Sequence, residues 1–390
     1  MSDKKKKILF LEQYANISGG QRVLLKTIAG LDKKRYEILA VVPGRGKLSE
    51  ELDSLGIKYE ILAIGYYSIG HKTLLDILIY SLKAPFLIIG LLSMIKKQGI
   101  DLVYANGART FPLATIACFL ARIPLVWHVH SIFTGGIAKR LCLLFGGFSI
   151  VKKIIVVSDA VGRPLDKLRV KIERIYNGID TQIYYPHDKV KLNKTELGVK
   201  PTDLLVGVIG LLLDWKNQED LIRAAKVVKD AKLAGVKFLI IGDCLPGDKA
   251  SRLYKKKLED LVEELSLSDR VIFTGYRNDI PFLMRMLDIL VLSSKEPDPC
   301  PLVMLEAMSS GLVVIATGFG GPAEIIEQSR DGLLYEAGDY KALAEKILDL
   351  VPDRTKIEQL AQNARLKIKE HFNLSMYTEK IDKIIGLYLK

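Results

Sequence analysis

Short apolar runs separated by amphipathic stretches recur from one end of the chain to the other. KKKILFLEQ, YEILAVVP, IKYEILA, DLVYANG, PLVWHVHS and KKIIVVSD are rich in Ile, Leu and Val, as strands of a parallel sheet covered on both faces should be. Around Thr181 to Asp203 the text turns polar, TQIYYPHDKVKLNKTELGVKPTD, and predicts a linker. The alternation then restarts with LLVGVIG, VKFLIIGD, RVIFTGY, ILVLSS, LVVIAT and GLLYEAG. Strand–helix units repeated in this way predict an α/β chain of two doubly wound domains in tandem. Ligands are expected at the carboxyl ends of the strands and the active site in a cleft between the domains. A length of 390 residues suits two domains of ~200 residues better than one core.

Three features narrow the setting. The start, MSDKKKKILFLEQ, is basic, but Glu12 and Gln13 interrupt its apolar run and no small-residue cleavage site follows, so it reads as a first strand and not as a secretory signal. The most membrane-like stretch, LIYSLKAPFLIIGLLSMI from Leu78 to Ile95, carries Lys83 and Pro85. Only FLIIGLLSMI is left uninterrupted, short of the ~20 residues a span requires, so no transmembrane helix is expected. Four scattered cysteines without a CxxC pair argue against a disulfide framework and a zinc site, and a reducing cytoplasm fits them.

Charge adds a statement about partners. Residues 1–184 hold 27 Lys and Arg against 14 Asp and Glu, whereas the remainder holds 30 against 31, so the whole net charge of +12 originates in the first half. A one-sided basic field suits anionic lipid, nucleic acid or a phosphorylated substrate, or is simply a solvated surface. Nucleic acid is disfavoured because the basic residues are interleaved with aliphatic segments (FLIIGLLSMIKK, IAKRLCLLFGGFSIVKK) and not with exposed aromatics that would stack bases. An anionic membrane surface, met through the first domain from the cytoplasmic side as a peripheral protein, is the expected partner.

The two halves open alike. LFLEQYANISGGQRVLLKTIAGL and VGVIGLLLDWKNQEDLIRAAKVV are each a strand, a loop and a helix, and a helix N-terminus presents free N–H groups to an anion. Gly19 and Gly20 would let backbone approach such a ligand closely, although a Gly-Gly pair is also an ordinary turn. A third loop, GFGGPAEII, follows the strand LVVIAT and places Pro322 at a first helical position, with Glu324 in the first turn.

With these loops stands EPDPCPLVMLEAMSSG, in which Asp298 lies eight residues before Glu306. The run resembles the E-x7-E motif of the group 1 (family 4) retaining glycosyltransferases of the GT-B fold. SGGQRVLLKTIAGL, VWHVHS, VVSDAV, IYNGID, WKNQEDLIRAA, TGYRND and GFGGPAEII accompany it in that family's order, over nearly the whole chain. The resemblance implies two Rossmann-like domains facing a central cleft. Residues 1–184 would form the acceptor-side domain, joined by a C-terminal helix at 375–390, and residues 185–374 the nucleotide-sugar domain. It also implies transfer of a sugar, with retention, from a UDP- or GDP-sugar to a glycan or lipid-linked acceptor.

Roles carried over residue by residue make physical sense. Pro301 would open a helix whose Leu302 and Val303 N–H groups meet phosphate or sugar oxygens. Glu306, one turn further in, would accept both ribose hydroxyls, and Asp298 would grip the transferred sugar. Read alone, Asp298 is equally an ordinary N-cap and Glu306 a solvated helical acid. Lys216 in LLLDWKNQ matches the diphosphate-binding lysine. His130 in WHVHS matches the active-site histidine, although strand register alone does not choose between it and His128. Tyr276 and Arg277 fall where the nucleobase would lie.

No nucleophile with an adjacent base is evident, and the family is thought to react by front-face displacement, the departing phosphate taking the acceptor's proton. No cofactor is implied and no metal is expected to be required, because Glu296-Pro297-Asp298 sits in the E-x7-E context and not in a D-x-D one. Three departures stand out: Asp298 in place of the usual Glu, Leu211 where many members carry an arginine, and Pro301 for glycine. They keep a rival reading in view, a non-catalytic sugar-nucleotide-binding protein of the same fold.

Overall fold

The computed structural model describes residues 4–64, 74–186 and 197–389. Part of the stretch expected to be a linker, residues 187–196, lies outside the described residues. The chain divides into two compact units, Met1–Gly178 with Leu374–Lys390, and Ile179–Asn373.

Unit 1 is built on β1 (Lys6–Glu12), β2 (Tyr36–Val42), β3 (Lys58–Ile61), β4 (Leu102–Asn106), β5 (Leu125–Val129), β6 (Val151–Val156) and β7 (Ile172–Arg174). Their order is β3-β2-β1-β4-β5-β6-β7, and every pairing is parallel. Unit 2 repeats the plan with β8 (Leu204–Ile209), β9 (Val236–Ile241), β10 (Val271–Gly275), β11 (Ile289–Leu292), β12 (Val313–Thr317) and β13 (Leu333–Tyr335). These are ordered β10-β9-β8-β11-β12-β13, again all parallel. Each sheet therefore winds outward from its first strand and then reverses, so the loops leaving β1 and β4, and those leaving β8 and β11, part to opposite faces of the sheet. Such a reversal opens a crevice at the carboxyl ends of those strands.

Burial explains why the strands read so plainly in the sequence. β4, β5 and β12 are buried at every position, and a strand covered by helices on both faces has no polar side to show. β7 gave no such signal: its three residues, Ile-Glu-Arg, lie at a sheet edge and only partly inside.

Two expectations are corrected here. The boundary falls at Gly178 and not at residue 184, because the segment after it is tied into unit 2. Ile179 N–H donates to Phe372 O at 2.8 Å, and Ser309 Oγ donates to Tyr184 O at 2.6 Å. Helix Leu374–Leu387 belongs to unit 1, with Tyr377 Oη 2.5 Å from Thr27 Oγ1 and Asp382 paired to Arg35 at 2.6 Å.

The second correction concerns the apolar stretch after residue 73. Lys83 and Pro85 do not divide it: one helix runs Leu74–Gln98 through both, and its Leu78–Gln98 part is long and apolar enough to cross a membrane by length and composition. An internal proline costs about 3 kcal/mol. Here Leu87, Leu91 and Ile95, spaced along one face and buried, offset that cost by packing. The opposite face is the unusual one. Leu78, Leu82, Phe86 and Ile89 form an outward stripe, with Phe86 77% exposed.

Candidate functional site

In unit 2 the sequence-predicted residues converge on the reversal of the sheet. After β8 the chain makes a short 3-10 turn, Asp214–Lys216, and Asn217 takes a left-handed φ of 51° before helix Gln218–Asp230 begins. This holds Lys216 at the carboxyl end of β8, beside the loop after β11. Its ammonium lies 4.1 Å from the Trp215 ring centre and 2.6 Å from Asp298 Oδ2, in the loop after β11. Two further bonds hold the loops together: Ser293 Oγ donates to Lys216 O at 3.1 Å, and Lys295 N–H to Trp215 O at 2.7 Å.

The loop after β12 closes on the same place. Gly321 N–H donates to Asp298 O at 2.8 Å. A Cβ on Gly320, whose φ is +65°, would fall 2.6 Å from Asp298 O, and one on Gly321 would fall 2.4 Å from Pro299 O. Glycine is required at both positions for the two loops to touch. The sequence GFGG is thus a means of seating the Asp298 loop.

Helix Leu302–Ser309 follows, capped by Pro301 in extended geometry. Two ordinary readings are thereby removed, since Asp298 is not the helix cap and Glu306, only 3% exposed, is not a solvated acid. Leu302 and Val303 are the first two helical residues, so their N–H groups have no acceptor inside the helix. A cation, the Asp298 carboxylate and a helix N-terminus therefore share the mouth of β8 and β11, and the buried Glu306 lies one turn into that helix. The set can hold an anion beside a polyhydroxylated group.

The remaining unit 2 residues lie further along the same edge. Tyr276 and Arg277 follow β10, separated from β8 by β9. Tyr276 is 61% exposed, and the Arg277 guanidinium grips Asp279 through two bonds of 2.8 and 2.5 Å, which holds that carboxyl below its usual range. Leu211, where the resemblance expected an arginine, is half-buried, and its carbonyl accepts from Gln218 Nε2 at 3.0 Å.

Unit 1 gathers its candidates at the corresponding reversal. Helix Gly19–Gly30 begins at Gly19, and a Cβ on Gly20 would meet the His130 ring at 3.5 Å, so the Gly-Gly loop and the histidine are neighbours. The two histidines now separate. His128 is fully buried, with Nδ1 2.8 Å from Tyr104 Oη, and burial followed by the nearness of His130 holds it well below its usual range. His130 lies just past β5 and is partly open. Burial lowers it to about 4, so its ring is neutral at physiological pH.

Sequence reasoning missed what supports His130. Its Nε2 lies 2.8 Å from Asn106 Oδ1, and Asn106 Nδ2 is 2.5 Å from Glu12 Oε2. Glu12 and Asn106 are each 1% exposed. Burial pushes the Glu12 carboxyl up to about 7, against hydrogen bonds from Asn106, Gln21 and the backbone of Gln13 and Tyr14 that pull it down. A signal did exist in LFLEQ and LVYANG, where apolar strands end on a polar residue at the point where the sheet reverses.

Known proteins resemble the chain throughout. A family profile described as "Glycosyl transferases group 1" matches residues 190–367, and one described as "Glycosyltransferase Family 4" matches residues 17–183. The Escherichia coli UDP-Gal:alpha-D-GlcNAc-diphosphoundecaprenol alpha-1,3-galactosyltransferase is 26% identical over 99% of this chain and 97% of its own. The lipopolysaccharide core biosynthesis mannosyltransferase LpsB of Rhizobium meliloti is 25% identical over 68% of this chain and 74% of its own. Among solved structures, Anabaena Alr3699/HepE in complex with UDP superposes with a TM-score of 0.85 at 28% identity, covering 98% of this chain and all of that one. The same protein in complex with UDP-glucose gives 0.83 at 27% identity, over 98% and 99%.

Proposed function

We propose that this chain, which belongs to the group 1 glycosyltransferases of the GT-B fold, moves a sugar with retention from a UDP-sugar to a lipid-linked glycan. The rival reading, a non-catalytic nucleotide-sugar-binding protein, finds no support among the transferases it resembles. One observation carries the proposal: Lys216, Asp298, the open end of helix Leu302–Ser309 and buried Glu306 are assembled by three loops at one sheet reversal. Lys216 and the helix end take the diphosphate, Glu306 the ribose and Asp298 the transferred sugar. Tyr276 and Arg277, which follow β10 two strands from β8, a spacing of about 10 Å, are assigned to the nucleobase. UDP is preferred over GDP because the E. coli relative and the Anabaena complexes carry it in their names.

In this reading Lys216 stabilises the charge that builds on the departing UDP, whose phosphate takes the acceptor's proton. With that charge met by the ammonium and the helix end, no metal is required, and turnover in a chelator should equal turnover without one. Donor choice is tested by thermal denaturation with UDP, GDP, ADP and CDP. UDP at about 100 times its dissociation constant should add about 2.7 kcal/mol. A larger shift with GDP than with UDP would overturn the assignment of the base.

A lipid-linked acceptor suits the surface of unit 1. Helix Leu74–Gln98 packs on helix Thr110–Ala121, and that one on helix Gly136–Gly146, whose Ile137, Leu141 and Leu144 are exposed like the stripe from Leu78 to Ile89. Lys83, Lys96, Lys97, Arg122 and Arg140 are also exposed on or beside these helices. An apolar face edged by cations fits the headgroup layer of an anionic membrane, with the helix lying in the surface. The expected result is salt-sensitive flotation with phosphatidylglycerol vesicles, reduced at least tenfold by Leu82→Asp with Phe86→Asp, since each side chain is worth more than 1 kcal/mol on burial. Equal flotation of wild type and variant would contradict it.

A further inference from the structure

We propose that Glu12 and Asn106 are positioning residues that hold His130 in its Nε2–H tautomer, leaving Nδ1 as an acceptor for a substrate hydroxyl. The second half of this statement rests on the reading of His130 as an active-site residue; the first half does not.

Three adjacent strands supply the row. Glu12 ends β1 and stands opposite Asn106, the last residue of β4, while Asn106 stands opposite His128 in β5, two residues before His130. Parallel pairing thus brings a carboxylate, an amide and an imidazole into a row at the sheet reversal. Glu12 Oε1 accepts from Gln13 N–H at 2.6 Å, Tyr14 N–H at 3.1 Å and Gln21 Nε2 at 2.9 Å. Its Oε2 accepts from Asn106 Nδ2 at 2.5 Å.

With Glu12 ionised, above its raised pKa of about 7, donor and acceptor rules fix every group in the row. An ionised carboxylate only accepts, and so does the Gly20 carbonyl, 3.4 Å from the same Nδ2. Both require the NH2 end of Asn106 on their side, so the amide orientation is dictated by its partners and is not an arbitrary choice between two similar atoms. Asn106 Oδ1 is left facing His130 Nε2 at 2.8 Å. An oxygen in that position is satisfied only by an N–H, which places the imidazole proton on Nε2. Because burial keeps the His130 ring neutral, Nδ1 then carries a lone pair. His130 therefore offers its substrate an acceptor and not an acidic proton.

Replacing Glu12 with glutamine should reverse the row with almost no change of shape. The three donors on the Oε1 side keep the carbonyl oxygen there and turn the new NH2 toward Asn106. That amide must then present its oxygen to residue 12 and its NH2 to His130, and the ring answers with the Nδ1–H tautomer. The measurement is a two-bond proton–nitrogen correlation spectrum of the full chain labelled at histidine nitrogens, with His130 assigned by its loss in His130→Gln. Spectra are recorded well above neutral pH, so that Glu12, with its pKa raised to about 7, is ionised.

The expected result is the Nε2–H pattern in wild type and the Nδ1–H pattern in Glu12→Gln. An Nδ1–H pattern in wild type, or the same tautomer in both proteins, would overturn the proposal. Should Glu12→Gln not fold, Asn106→Leu serves instead. It removes the acceptor and should give a mixture of tautomers, whereas a retained pure Nε2–H pattern would count against the proposal. The readout does not depend on turnover, so a chain inactive toward every nucleotide sugar would sink the proposed function and leave this result standing.

Discussion

Lys216→Ala should lower kcat by about a hundred- to a thousand-fold while leaving the fold intact. The loss follows from the reaction's electrostatics: negative charge develops on the departing diphosphate, and removal of one preorganised donor in such a position costs that much. The fold is spared because the pair Lys216 makes with Asp298 is partly open to water, with side chains 22% and 14% exposed. Such a partly exposed pair is expected to contribute on the order of 1 kcal/mol to stability. Kinetics and melting should therefore part company. An unchanged kcat would remove Lys216 from the site, and a collapse of the melting temperature would reassign it as a structural residue.

The second large effect divides the two acids of the Asp298–Glu306 motif. Glu306 is assigned to the ribose, which does not react, so Glu306→Gln should weaken UDP and the UDP-sugar alike. The loss of charge-assisted bonds, about 1.5–3 kcal/mol, corresponds to roughly ten- to a hundredfold in affinity and should be seen in KM. Asp298 is assigned to the sugar whose position and charge change as the bond breaks, so Asp298→Asn should spare UDP binding and depress kcat. Calorimetry with UDP and steady-state kinetics together decide the matter. Equal loss of UDP affinity in the two variants would refute the division.

How much of this was legible in the sequence depends on how each feature is encoded. Buried parallel strands print themselves as apolar runs, and all but the short edge strand β7 were readable. The E-x7-E stretch and Lys216 were readable as a family pattern, but not the contact that joins them, because Lys216 and Asp298 are 82 residues apart and meet only through the order of the strands. The Glu12–Asn106–His130 row escaped for the same reason: each member is one polar residue at the end of an apolar strand, and only strand adjacency makes them a set. Pro85 misled in the opposite direction. Local propensity predicts a break, but the buried Leu87, Leu91 and Ile95 hold the helix through it.

The choice between His128 and His130 shows the limit most clearly. They sit two residues apart in one strand-like run, and alternation places them on one side. The structure separates them by neighbours: Tyr104 and full burial for His128, Gly20 and partial exposure for His130. Neither set of neighbours is within reach of a pattern read along the chain.

Retaining transfer from a nucleotide sugar is tested most directly by the product itself. The purified chain is given an α-linked UDP-sugar and a lipid-linked glycan acceptor, and the configuration of the new linkage is read from the anomeric proton coupling in the first product formed. UDP release should depend on the acceptor, and the new linkage should be α. A β linkage, or UDP release with no sugar reaching any acceptor, would contradict retaining transfer.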